Sequence, residues 1–129
     1  KASPINTLTA CFRNVVKEFP SEFQCTKFGD LFLWSFLGRH GKGKFLSDIK
    51  PSKYRVHDGG IFSKKTKIVR QEMWLITSGA LYTYYNRIGN KELSEYFLER
   101  NLRASISVFG LFPLVKVFLK KILNFKALK

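Results

Sequence analysis

Asp30 is the first residue in this sequence whose type and position could carry out chemistry. It follows Gly29 and precedes the apolar run 31–37, so we predict that Asp30 caps the N-terminus of a helix. Backbone N–H groups at a helix N-terminus fix a carboxylate in place. A fixed carboxylate can take a proton from an attacking hydroxyl. The alternative is that Asp30 only caps the helix.

A second group of candidate residues follows about two dozen positions later. Arg55 and His57 belong to the alternating run 53–57, which predicts an extended segment with both side chains on one face. An arginine fork and an imidazole can bind a diphosphate, and His57 can also bind a divalent metal. Gly59 and Gly60 then predict a mobile loop. The alternative is a surface arginine beside a hydrogen-bonded histidine.

The elements that would position these residues are predicted to be both strands and helices. Thr and β-branched residues favour a strand over 5–16, and residues 45–49 favour another short strand. Apolar residues at three- and four-residue steps predict helices over 30–38, from Lys65 to about Ile88, and from Lys91 to Leu102. Helix 30–38 is apolar nearly all round, which predicts that it is buried.

Composition predicts a folded domain that meets a polyanion. The chain has 129 residues, 13 of them Phe, and a formal net charge of +14. Nucleic acid, anionic lipid and a nucleotide diphosphate all suit that charge. A basic nucleic-acid-binding module stays an alternative, but no nucleic acid is expected, because the sequence lacks an RNP-like, KH or helix-turn-helix pattern. The two cysteines and two histidines have no zinc-site spacing.

Residues 105–129 are predicted to form a basic amphipathic tail. The apolar run 106–115 is too short to cross a bilayer, and no acidic residue follows Glu99. Lysines and apolar residues separate, imperfectly, onto different sides of a helix after Pro113. An interfacial helix on an anionic membrane fits this pattern, and a membrane-associated interaction protein is a further alternative. The tail could instead pack back onto the domain.

A family resemblance joins the two groups of candidate residues. Residues 54–63 read Tyr-Arg-Val-His-Asp-Gly-Gly-Ile-Phe-Ser and resemble the Tyr-Arg-x-His-x-Gly-Gly-aliphatic-aromatic-Ser run of bacterial family-2 glycosyltransferases, which have the GT-A fold. Three shorter pieces agree in the same order: 12–14 (Phe-Arg-Asn), 19–20 (Phe-Pro) and 29–30 (Gly-Asp). The resemblance covers roughly residues 5 to 100.

The resemblance implies that residues 1–104 are the C-terminal, acceptor-side half of a GT-A catalytic domain. The fold would be α/β, with a few short strands, three or more helices and the amphipathic tail. Asp30 would be the general base for transfer of a sugar from a nucleotide-sugar to a glycan or lipid-linked acceptor. Arg55, His57, Gly59 and Gly60 would bind the donor diphosphate.

The same resemblance implies a Mn²⁺ or Mg²⁺ cofactor and a place in the cytoplasm, at the inner face of the membrane. The family's nucleotide-binding half, with its Asp-x-Asp metal motif, has no counterpart in the sequence. Asp48 and Asp58 are not adjacent and cannot replace that motif. The chain is therefore expected to be a fragment that is inactive without the other half.

Overall fold

The computed structural model describes residues 5, 7–50, 52, 53, 57 and 64–126. The described chain is helical. Two 3-10 turns, Thr7–Thr9 and Ser21–Cys25, come first, and four α-helices follow: α1 (Gly29–Leu37), α2 (Lys67–Arg87), α3 (Lys91–Phe109) and α4 (Leu111–Lys126). No strand occurs anywhere in these residues.

The predicted α/β fold is therefore wrong. Within segment 5–16 the described residues form a 3-10 turn and irregular chain, and residues 45–49 contain no strand. β-Branched residues favour a strand only where a neighbouring strand pairs with their backbone groups, and the described chain offers no such neighbour. The predicted helices over 30–38, 65–88 and 91–102 are confirmed as α1, α2 and α3, although α3 continues to Phe109.

Helices α2 and α3 form an antiparallel hairpin, and each begins at a side-chain cap. The Thr66 hydroxyl accepts a hydrogen bond from the Val69 N–H at 3.4 Å, and Asn90 Oδ1 accepts one from the Leu93 N–H at 3.0 Å. Gly89 turns the chain between them with a φ of 74°, which other residues rarely adopt. The hairpin supplies the surface on which the rest of the fold packs.

The core lies where α1 meets this hairpin. Phe32 of α1 is completely buried. Its ring packs edge-on against Phe23 and at a tilt against Tyr84. Tyr85 of α2 stacks on Phe97 of α3, with ring centroids 5.6 Å apart. These aromatic rings explain part of the heavy Phe content, because each buries a large apolar area.

Helix α4 contributes little to this core. Gly110 separates it from α3 with a φ of 83° and a ψ of 156°, a conformation that is close to exclusive to glycine. Most of the large apolar side chains described on α4 are exposed. No helix in the described part of the chain combines the length and the apolar character that crossing a membrane requires.

Candidate functional site

The Asp30 side chain lies in the first turn of α1 and is exposed to solvent. Its Oδ1 accepts a hydrogen bond from the Leu31 N–H at 2.8 Å, and its Oδ2 accepts one from the Thr7 hydroxyl at 3.5 Å. The residue at the N-cap is Phe28, which makes no side-chain cap. Asp30 is thus a helical residue whose carboxylate is held by the first turn and still faces water.

A buried hydroxyl fixes the position of this turn. Thr77, in the middle of α2, is fully buried, and its Oγ1 accepts hydrogen bonds from the N–H groups of Lys27 and Phe28, both at 3.0 Å. Phe28 in turn accepts the Phe32 N–H at 3.2 Å. The residues that lead into α1 are therefore anchored to α2 just before Asp30.

Sequence reasoning missed Thr77, although a signal was present. Thr77 stands four residues after Met73 and four before Leu81, on the stripe of α2 that was predicted to be apolar. A hydroxyl on such a stripe needs a hydrogen-bond partner when it is buried, because an unpaired polar group there is costly. The identity of that partner could not be predicted, since it lies about 50 positions away in the sequence.

An aromatic pair lies one helical turn from Asp30. Trp34 follows Asp30 by four residues, on the same face of α1 and about 6 Å further along the axis. Phe12 packs edge-on against Trp34 with ring centroids 5.8 Å apart, while Thr7 contacts Asp30. The segment 7–12 therefore runs along the face of α1 that carries Asp30.

Two arginines, one just after α1 and one at the end of α2, lie against Tyr84. The Arg39 guanidinium donates a hydrogen bond to the Tyr84 hydroxyl and lies 5.7 Å from its ring centroid. Arg87 lies at the same distance from that ring and also bonds Glu22 through two nitrogens, at 2.7 and 3.0 Å. The hydrogen bonds from Arg87 hold the pKa of the Glu22 carboxyl below its usual value.

Tyr85 extends the packing between α1 and α2. Its hydroxyl donates a hydrogen bond to the Ser35 carbonyl at 2.8 Å, and burial raises the pKa of this phenol. Arg39, Tyr84 and Tyr85 thus tie the second half of α1 to α2. These residues lie at the opposite end of α1 from Asp30. They fix the position of α1 on α2 and have no role in the predicted chemistry.

The predicted donor-binding residues are described only in part. His57 is exposed, whereas Arg55, Gly59, Gly60 and the loop predicted around them lie outside the described residues. Within the described ranges, no group of three or more His, Cys, Asp or Glu side chains could hold a metal ion. His57 offers a single imidazole as a ligand, and the Mn²⁺ or Mg²⁺ ion that the resemblance implies stays a prediction.

A shallow pocket of about 230 Å³ opens at the side of α2. It is lined by Glu22, Cys25, Ile76, Ala80 and Thr83. Of the predicted site residues that the structure describes, neither Asp30 nor His57 lines this pocket. Comparison of the chain with protein families, with curated proteins and with solved structures finds no match.

Proposed function

We propose that this chain carries the acceptor-side base of a sugar-transferring enzyme. Asp30 is the general base, the donor is a nucleotide-sugar, and the acceptor is a glycan or a lipid-linked sugar. The observation that carries the proposal is the Asp30 carboxylate, which is exposed, yet held by the Leu31 N–H at 2.8 Å. A base must be fixed and also accessible to its substrate, and Asp30 meets both requirements.

The proposed reaction is a direct displacement at the anomeric carbon. The acceptor hydroxyl gives its proton to Asp30 as its oxygen forms a bond to that carbon. The bond from the carbon to the donor diphosphate breaks, and its electron pair leaves with the diphosphate. The Thr7 hydroxyl, at 3.5 Å from Oδ2, makes a long hydrogen bond that an acceptor hydroxyl can replace.

The donor side of the proposal rests on the resemblance of residues 54–63. Arg55, His57, Gly59 and Gly60 are assigned to the diphosphate, whose charge the Arg fork matches. The nucleotide and the Mn²⁺ or Mg²⁺ ion are assigned to a nucleotide-binding part with an Asp-x-Asp motif, which this sequence does not contain. Turnover is therefore expected from the full-length enzyme and not from residues 1–129 alone.

The donor assignment is tested by kinetics with the full-length enzyme. Release of nucleoside diphosphate is measured with a panel of nucleotide-sugars and a membrane extract as the source of acceptor. His57→Ala and Arg55→Ala should each raise the KM for the nucleotide-sugar, while His40→Ala, a second exposed histidine, should not. Unchanged donor KM values in both variants would refute the donor assignment, and no diphosphate release at all would refute sugar transfer.

A second function, peripheral binding to a membrane, is supported by α4. Lys116, Lys120 and Lys121 are exposed on this helix beside exposed apolar residues, of which Val117, Phe118 and Leu123 are the most accessible among the side chains described after Pro113. An apolar surface bordered by lysines suits anionic lipid better than nucleic acid, which offers phosphates but no apolar depth. We therefore propose that the protein binds peripherally to the anionic, cytoplasmic face of a membrane.

Flotation with vesicles tests this second function. The intact chain should float with vesicles that contain phosphatidylglycerol, and a chain that ends at Leu102 should not. Each lysine near an anionic surface contributes roughly 1 kcal/mol, so added salt should weaken the binding. Equal flotation of both chains, or of neither, would show that the tail is not the membrane-binding element.

A further inference from the structure

The corner between α3 and α4 carries several exposed apolar side chains close together in the sequence. Phe109, Leu111 and Phe112 flank Gly110, and their side chains are 56%, 60% and 79% exposed. Exposed apolar residues also precede them on one face of α3, at Leu102 and Ile106. Apolar patches of this kind on a folded protein mark an interaction site.

The corner has no charged residues, and the nearest charged residues lie at similar distances before and after it in the sequence. The twelve residues 104–115 contain no charged side chain, and Gly110 lies at their middle. Arg103 and Lys116 border the run, and no acidic residue follows Glu99. The cations therefore lie on the two helices at a distance from the corner, which matches an apolar interior beneath an anionic surface.

Backbone geometry explains why the corner can enter a membrane only to a shallow depth. The Gly110 N–H is bonded to the Ile106 carbonyl at 2.9 Å, which completes the end of α3. The first N–H groups of α4 have no carbonyl of their own helix to bind, and Pro113 removes one such donor. Those that are left need water, so the corner suits the hydrated boundary of the bilayer and not its centre.

We propose that the α3–α4 corner, Phe109 to Phe112, is a wedge that inserts into an anionic bilayer. The stripe Leu102–Ile106 faces the lipid beside it, and α4 lies along the headgroups. This deepens the peripheral membrane binding proposed above and rests on it. The proposal also explains the length of the apolar run: a helical corner does not need the roughly 20 residues of a spanning helix.

The test uses the full chain and vesicles of phosphatidylcholine with phosphatidylglycerol, separated by sedimentation. Phe112→Ser and Phe109→Ser should each lower the partition coefficient by about tenfold. Phe45→Ser is the matched control, because Phe45 is 88% exposed but lies in the segment after α1, far from the corner in sequence. Phe45→Ser should bind like the unchanged protein, and circular dichroism should show equal helix content in all variants.

The outcomes separate the two membrane proposals. If the unchanged chain binds and the corner variants bind equally well, the wedge is refuted while binding through α4 stands. If the unchanged chain does not bind, both are refuted. A loss that is equal in Phe45→Ser and Phe112→Ser would mean that any exposed aromatic contributes, and this result would also refute the wedge. Sugar transfer by Asp30 does not depend on any of these results.

Discussion

The Thr7 hydroxyl donates a hydrogen bond to the Asp30 carboxylate over 3.5 Å, although 23 positions separate the two residues in the sequence. This contact brings the N-terminal segment across the face of α1 that carries the proposed base. The bond is long and exposed to solvent, so it costs little to exchange for another hydroxyl. Thr7 therefore occupies the place that an acceptor hydroxyl would take at Asp30.

Thr77→Val should destabilise the protein by about 2–4 kcal/mol, because it leaves two backbone N–H groups, of Lys27 and Phe28, without their acceptor. Thr77→Ser keeps the hydroxyl and should cost about 1 kcal/mol. Unfolding in urea, followed by circular dichroism, measures both. The matched control is Thr83→Val, at an exposed position of the same helix, which should change little. Equal stability of Thr77→Val and Thr83→Val would contradict the anchoring role.

Glu22 should make stability depend on pH in the acid range. Arg87 lowers the pKa of Glu22 from its usual value of 4.5, so the unfolded chain takes up this proton first as the pH falls. The ion pair contributes its full stability above about pH 5, and this contribution is lost as the pH drops through the lower pKa of the folded state.

The comparison is the urea midpoint of the unchanged protein and of Glu22→Gln, each followed from neutral to acid pH. The difference between the two should shrink as the pH falls below 4.5. Glu99→Gln removes the solvent-exposed pair with Arg103 and should show almost no such effect. A difference in urea midpoint between Glu22→Gln and the unchanged protein that stays constant with pH would show that the Glu22–Arg87 ion pair does not cause the pH dependence of stability.

Gly79→Ala should fail to stabilise α2, although alanine is the better helix former by about 1 kcal/mol. A Cβ at this position would lie 3.2 Å from Asn101 Nδ2. That nitrogen donates hydrogen bonds to the Leu75 carbonyl at 2.7 Å and to Ser78 Oγ at 3.2 Å, so it has little freedom to retreat. Chemical unfolding measures the effect. In the Asn101→Ala background the same substitution should become stabilising, and a gain already in the unchanged background would refute the close contact.

The helices could be predicted from the sequence because their signals are local. The three- and four-residue steps between Ile68 and Tyr84 predict α2, and Gly29-Asp30 before an apolar run predicts α1. The end of α3 was predicted too early, at Leu102, whereas the helix continues to Phe109 and stops at Gly110. Local pattern gave the wrong result for segment 5–16, where a strand depends on a partner that the described chain lacks.

The candidate site could be predicted only at Asp30 itself. Its place at the start of α1 follows from neighbouring residues, although it lies in the first turn and not at the predicted cap position. Its surroundings come from distant residues. Thr7, Phe12 and Thr77 reach α1 through tertiary contacts, and no spacing rule encodes them. The Arg39–Tyr84 contact is of the same kind, because it joins two helices across a segment of more than 40 residues.

The turnover of an Asp30→Asn variant of the proposed full-length glycosyltransferase tests the central claim most directly. Loss of a general base acts on the transition state, so kcat should fall by on the order of a hundredfold or more while the donor KM stays close to that of the unchanged enzyme. Thr7→Val and Asp48→Asn are the controls, and each should change kcat by less than about threefold. Normal turnover by Asp30→Asn would contradict the assignment of Asp30 as the base.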